Sequence, residues 1–399
     1  MAVAFIRQSP GNPSELSALV RLNGLMPEPA VPAARRFPDV VPVLVDSTAG
    51  VVLRPSAEAD IAAMVEQCRD PEMIRWTTVP TPEDGYSADD ARAFLDHLRQ
   101  GWEGSGPYGW AIELTDVPFA GNIDLRMEEG GIAEVGFGLH PAARGRRVMT
   151  AALRLVRDYG FDVLGLRVIR WRAAVGNWPS RRTAAAAGFR FDGTVRALLN
   201  HRGELTDGWL ATIRAEDPRV DLSWSWPPRL TGPRIWLRPF AERDFDRIVE
   251  ACSDAATQHW LVSLPRPYRP ESAAAYVEST RAQAAAGTGW AWCITDEADR
   301  CLGSLSLEGF GGYARRLEIG YWAHPEVRGH GFIAEAVRLV TEHVEQHELA
   351  NSVIIRCAAE NTASRRVAEA AGYVEHGIRP ACEPLGDGRL ADLVLYCRP

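Results

Sequence analysis

The chain has 399 residues, enough for two or three domains at roughly 100–200 residues each. Its 46% hydrophobic and 24% charged residues are those of a globular protein, and no apolar run reaches the roughly 18 residues of a membrane span. A net charge of −8 at pH 7 argues against non-specific nucleic-acid binding, which needs a basic surface, and favours cationic ligands such as amines.

The opening "MAVAFIRQSP" is too short, and too early broken by proline, for a secretory signal. Seven cysteines without a CxxC pair argue against a disulfide framework or a zinc site and for a reducing cytoplasm. All 44 basic residues are arginine, so no lysine side chain can be acylated.

Residues 1–48 carry seven prolines with little periodicity and are expected to form a loosely ordered arm. "GVVLRPS" from Gly50 predicts a strand, followed by a helical segment from near Glu58. "WAIEL" from Trp110, "GNIDLR" from Gly121 and "EVGFGL" from Glu134 have the length and alternation of a strand meander. Met149, Leu153, Val156 and Gly160 follow helical spacing. "VIRWRAAV" predicts a buried strand, then a short helix carries Arg181 and Arg182, and a hairpin ends in "GWLATI". Asp217–Thr231 is expected to be a linker whose Trp224 and Trp226 pack on a domain rather than stand in water.

After the linker the same order returns. "LRPSAEAD" at Leu53 is answered by "LRPFAERD" at Leu237, 184 residues on. "EVGFGLHP" from Glu134 meets "EIGYWAHP" from Glu318, and "GNWPSRRTAAAAGF" from Gly176 meets "ENTASRRVAEAAGY" from Glu360, at the same offset. Helical spacing recurs at Ile333, Val337, Val340 and Val344. The chain is a duplication. Strands interleaved with helices predict an α/β class with a mixed sheet in each copy, over residues 49–216 and 232–399.

A strand that runs into a glycine-rich turn and a helix start builds an anion site. The first backbone N–H groups of a helix lack internal partners, and its dipole favours negative charge there. "HPEVRGHGFIAEA" from His324 has this form, with Gly329 and Gly331 around His330 and with Arg328 to add a charge-assisted contact. "HPAARGRRVMTAA" from His140 repeats the frame with Arg147 at the second glycine's place. A plain tight turn is the alternative reading of these glycines.

Arg-x-x-Gly, Arg328 to Gly331, follows a strand carrying Glu318, and Asn-x-x-Ser, Asn361 to Ser364, comes after the next apolar strand. In this order of motifs the chain resembles the GNAT superfamily of N-acetyltransferases, within it the branch that acetylates the N-termini of ribosomal proteins. The resemblance covers both copies from about Val51 onward. It implies acetyl-CoA as co-substrate and no metal. In the second copy it implies that Arg328, Gly329, His330, Gly331, Phe332 and Ile333 line the pyrophosphate, Ile333 departing from the family's Gly or Ala. Tyr321, Trp322 and Ala323 would offer backbone groups to the acetyl group and pantetheine arm, Asn361 would bond that arm, and Arg366 would reach the CoA phosphates. The family's tyrosine seven residues past the asparagine is missing, with Ala368 in its place. Ser364 then becomes the candidate acid for the leaving thiolate, a helix cap, or both. Glu318 becomes the candidate base, or else a strand carboxylate facing solvent or an arginine.

The first copy keeps Glu134, Arg144, Gly145, Asn177 and Ser180, but Arg147 and Met149 depart from the loop pattern. It is expected to be degenerate in cofactor binding. The chain is thus expected to be a cytoplasmic acyltransferase that moves an acetyl group to a primary amine by direct attack, active mainly in its second copy. Two active copies, or a non-catalytic acyl-CoA-binding or regulatory protein, are the alternatives. The acceptor would be a small molecule or a protein N-terminus, with no nucleic-acid or membrane partner. Its specificity is expected in "RWTTVPTPEDGY" from Arg75 and "HWLVSLPRPY" from His259.

Overall fold

The computed structural model describes residues 41–104 and 106–398. Most of the expected arm, residues 1–40, lies outside the described residues. The first repeat runs β1 (Leu44–Asp46), β2 (Val51–Arg54), α1 (Ile61–Arg69), α2 (Pro71–Trp76), α3 (Ala88–Glu103), β3 (Tyr108–Leu114), β4 (Val117–Glu128) and β5 (Ile132–Leu139). It continues through α4 (Val148–Asp162), β6 (Val168–Ala174), α5 (Trp178–Ala186), β7 (Arg190–His201) and β8 (Glu204–Arg214). The second repeat runs β9 (Leu230–Thr231), β10 (Trp236–Arg238), α6 (Phe245–Ser253), α7 (Ala255–Trp260), α8 (Pro270–Ala286), β11 (Gly289–Thr295), β12 (Cys301–Glu308) and β13 (Arg316–Ala323). It ends with α9 (Phe332–Gln346), β14 (Ser352–Ala358), α10 (Thr362–Ala370), β15 (Val374–Pro384) and β16 (Leu390–Cys397).

Each repeat builds a mixed eight-stranded sheet. The orders are β1-β2-β3-β4-β5-β6-β8-β7 and β9-β10-β11-β12-β13-β14-β16-β15, the same succession twice. In each, the pair that flanks the long crossover helix, β5·β6 or β13·β14, is parallel. By compactness the chain divides into one unit running to Arg172 with Thr212–Asp217, and another of Ala173–Ala211 with Pro218 onward.

The alternation read in the sequence is that of burial. Leu317 and Ile319 of β13 are buried, and Ile333, Val337, Val340 and Val344 of α9 close over them in one core with Val353 and Ile355 of β14. Removing this apolar surface from water is the main stabilising term. The repeated frame "LRP…D" is an ion pair. Arg54 donates from Nη1 and Nη2 to Asp60 at 2.9 and 2.8 Å, and Arg238 donates likewise to Asp244 at 2.8 Å twice. Each aspartate also accepts the backbone N–H three residues before it, at 2.8 Å, so it closes the turn into α1 or α6. The repeated His-Pro serves a turn in the same way: His140 and His324 each accept a backbone N–H through Nδ1 at 3.3 Å.

Three stretches depart from expectation. Residues 44–46 of the expected arm pair with β2, and the carbonyl of Pro42 accepts the indole N–H of Trp110 at 2.9 Å. The expected linker ends in β9, and Trp290 and Trp292 donate to its carbonyls at Ser225 and Pro228. Its two tryptophans do pack, with ring centroids 6.1 and 6.0 Å from that of Trp178. The short helices α2 and α7, absent from the sequence reading, start at Asp70 and Asp254, whose side chains accept N–H groups of the first turn. Among the described residues no helix is long and apolar enough to cross a membrane.

Candidate functional site

β13 and β14 pair from Arg316↔Ser352 to Ile319↔Ile355 and then part. Beyond that point β13 follows β12 as far as Gly303↔Ala323, while β14 follows β16. Among the described residues the backbone of Gly320–Ala323, which includes the expected Tyr321, Trp322 and Ala323, therefore has no strand partner on the β14 side. An unpaired strand edge inside a sheet is a row of donors and acceptors awaiting another chain or ligand. β5 and β6 part in the same way after Val135↔Trp171.

β13 runs out at the glycine loop. Gly329 has φ +81° and Gly331, the residue before α9, has φ +80°, a left-handed conformation that costs glycine little. Among the described residues no side chain caps α9, so its first N–H groups face the loop. Ile333 turns its side chain into the core and offers only backbone to the helix entry, so its departure from a small residue leaves the loop open. Phe332 is half-buried, and its ring stacks on His330 with centroids 6.0 Å apart. Arg328 is anchored: its Nη2 donates to Asp254 at 2.6 Å and to Thr257 Oγ1 at 2.7 Å, which ties the loop to α7.

Arg234, which the sequence reading passed over, reaches this loop. Its Nε donates to Glu335 at 2.8 Å and its Nη1 to the carbonyl of His330 at 3.1 Å. A Cβ placed on Gly331 would lie 3.6 Å from its Nη2. Glu335 is a buried carboxylate in the first turn of α9, where it would repel an anion. Arg234 offsets that charge. The only available signal was a difference between copies, since Gly50 and Ala151 stand at these places in the first.

The first copy's loop has the same backbone. Gly145 has φ +76° and Arg147 φ +59°, so arginine adopts the left-handed turn that glycine holds in the second copy. The two loops differ in the side chain at the helix entry, not in the path of the chain.

The expected catalytic pair flanks the parting strands. Glu318 accepts from Arg356 Nε at 2.8 Å, while its other oxygen has no partner among the described residues. The carboxylate beside it raises the Arg356 pKa. Asn361 caps α10, accepting the Ser364 N–H at 3.0 Å. Ser364 is therefore not the cap, and its hydroxyl is engaged elsewhere: it lies 2.9 Å from the Tyr321 hydroxyl. Arg365 is committed to Tyr396 and Glu375, whereas Arg366 is exposed. On the opposite face of β13, Tyr276 shares a 2.8 Å hydrogen bond with Ser304, and burial pushes its phenol up to about 12. The wall from His259 is fastened to the β15–β16 turn: Gly386 donates to the His259 carbonyl at 2.8 Å, and Trp260 packs on Leu385. In the first copy Arg126 and Arg172 both pair with Glu134, and Phe137 stands where the second copy has Tyr321. Among the described residues no group of three or more His, Cys, Asp or Glu is placed to hold a metal.

The chain matches the family model described as Acetyltransferase (GNAT) domain over residues 51–190 and again over 234–374. It is 29% identical over 100 residues to a ribosomal-protein-serine acetyltransferase of Escherichia coli, covering 25% of this chain and 55% of that protein. It is 42% identical over 76 residues to YdaF of Bacillus subtilis, covering 19% of this chain and 41% of that protein. The chain thus spans about half the length of these relatives. Among solved structures, Mycobacterium smegmatis RimJ in complex with CoA-disulfide is 26% identical at a TM-score of 0.40, over 45% of this chain and 89% of that one.

Proposed function

The chain belongs to the GNAT acetyltransferase family, and from that membership we propose that it is an acetyl-CoA-dependent N-acetyltransferase whose chemistry is carried by residues 232–399. Residues 49–216 form a second GNAT domain, joined to it through 217–231. The observation that carries the reading is the uncapped start of α9 behind two left-handed glycines, set beside strands that part after Ile319 and Ile355. Free N–H groups at a helix start suit a pyrophosphate, and an unpaired strand edge suits an extended amide-bearing arm.

Acetyl-CoA supplies the thioester carbonyl and the thiol leaving group. The residues of the chain do the rest. Phe332, Ile333 and Ala334 offer backbone N–H groups to the pyrophosphate, with Gly329, His330 and Gly331 shaping the approach. Arg366 is free to meet a phosphate, and Arg328 holds the loop. Backbone N–H groups between Tyr321 and Ala323 receive the carbonyl oxygen as negative charge grows on it. Glu318 takes the proton from the attacking amine, directly or through water, with the oxygen that Arg356 leaves free. Ser364 donates to the departing sulfur. The acceptor is a primary amine on a small molecule or a protein N-terminus, selected by the wall from His259 to Tyr268.

Mass spectrometry after incubation with acetyl-CoA and a panel of amines tests this. The panel spans N-terminal peptides of ribosomal proteins, polyamines, amino acids and aminoglycosides. The reading expects an acetylated acceptor with the native chain and none with Glu318→Gln/Ser364→Ala. Acetyl-CoA binding without transfer to any class would instead favour a non-catalytic acyl-CoA-binding protein.

A further inference from the structure

The Tyr321 side chain has no part in the family pattern described above, which uses only its backbone. Its hydroxyl donates to the Ser364 carbonyl oxygen at 3.1 Å and lies 2.9 Å from Ser364 Oγ, so its one proton faces two oxygens of the same residue. Tyr321 belongs to the stretch of β13 that has parted from β14. Ser364 thus sits where the strands separate, against the Tyr321 hydroxyl of β13.

We propose that Tyr321 is a positioning residue for acid catalysis: the phenol proton that it shares with the Ser364 carbonyl turns to Ser364 Oγ, so that the serine's own O–H is left to point at the leaving sulfur. The inference rests on the role given to Ser364 above. A hydroxyl has one proton to give and two lone pairs to fill. Once the Tyr321 proton turns from the Ser364 carbonyl to Oγ, the serine has a lone pair satisfied and its own proton is left for the sulfur. Burial raises the Tyr321 pKa well above its ordinary value, so the phenol stays a donor throughout and does not itself ionise.

The proton balance closes. As the carbon–nitrogen bond forms and the carbon–sulfur bond breaks, Ser364 gives its proton to the sulfur that leaves with the bonding pair. Its oxygen is stabilised at that moment by the Tyr321 O–H and recovers a proton from water. The nitrogen gives up one proton to Glu318, which passes it to the water from which the serine recovered its own, so the products are an amide and a thiol with no net change. The first copy supplies an internal contrast: Ser180 is retained there, but Phe137 replaces the tyrosine and carries no hydroxyl.

The test compares the native chain with Tyr321→Phe, Ser364→Ala, the double variant and Ser364→Thr, each checked for an unchanged melting temperature. Tyr321→Phe and Ser364→Ala are expected to lower kcat by about tenfold or more, with KM for acetyl-CoA within about threefold; threonine, which keeps the hydroxyl, restores most of the loss. The double variant should be no slower than Ser364→Ala alone, because the tyrosine acts only through the serine. A binding readout runs beside the kinetics. Calorimetry of free CoA across the titration of its thiol should show tighter binding of the thiolate in the native chain, and this preference should vanish in both single variants. Native kcat in Tyr321→Phe, or losses that multiply in the double variant, would overturn the positioning role while leaving Ser364 as the acid. Native kcat in Ser364→Ala would instead overturn the reading on which it rests.

Discussion

Gly331→Arg gives the second copy the residue that the first copy carries at Arg147. Two costs can be separated. The turn needs φ +80°, and a left-handed conformation costs a residue with a side chain about 1–2 kcal/mol. At roughly 2–4 °C per kcal/mol for a domain of this size, the melting temperature should fall by about 2–8 °C. No clash adds to this, since the nearest atom to a Cβ at Gly331 is Arg234 Nη2, 3.6 Å away, and Arg147 already holds the same turn. The fold should survive. Binding should not, because the guanidinium would stand over the free N–H groups at the start of α9. Two lost charge-assisted hydrogen bonds at about 1.5–3 kcal/mol each amount to two to four powers of ten in affinity. Gly331→Ala is the control: it carries the conformational cost without the long side chain, and should lose stability but retain most of the affinity. The assays are thermal melts and calorimetry with acetyl-CoA. Native affinity in Gly331→Arg would mean that the glycine serves the turn alone.

Glu318→Gln should lower kcat by about 10²–10⁴-fold, as expected for a general base, with acetyl-CoA affinity unchanged by calorimetry; native turnover would assign Glu318 to its ion pair with Arg356 only. Arg234→Ala should weaken acetyl-CoA by about tenfold or more, the worth of one charge-assisted bond, because it leaves Glu335 as an uncompensated carboxylate at the helix entry. An unchanged dissociation constant would remove Arg234 from the site. The hydrogen bond from Arg238 holds the Asp299 carboxyl below its ordinary range, against a smaller opposing effect of burial. The stabilisation is therefore complete above the unfolded value of about 4 and is lost as pH falls through the lower folded value. Asp299→Asn should flatten the acid limb of stability against pH, and identical acid slopes would show that the pair contributes nothing.

The fold was legible because the same frames recur 184 residues apart and because alternation and helical spacing are unbroken at the core. Leu317 and Ile319 face inward on either side of Glu318, and α9 carries Ile333, Val337, Val340 and Val344 on one face. Elements too short for a period were not legible. α2 and α7 have six residues each and depend on an aspartate cap, and β9 has only two. In the site, the glycine loop and the Asn-x-x-Ser motif could be read because each is local. Arg234 could not, since its role depends on Glu335, 101 residues away, nor could the Tyr321–Ser364 pair, 43 residues apart. Residues joined only by the fold leave no spacing to read. The Asn361 cap removes the reading of Ser364 as a helix cap, which the sequence alone left open.

The central claim is that two copies of one domain hold a single competent cofactor site, because Gly331 leaves the start of α9 without a side chain where Arg147 brings one to the start of α4. Calorimetric titration of the whole chain with acetyl-CoA tests it most directly. The account predicts a stoichiometry near one per chain, abolished by Gly331→Arg and unaffected by Arg147→Ala. Two equal sites per chain, or one site that persists in Gly331→Arg and disappears when the first copy's loop is altered, would contradict it.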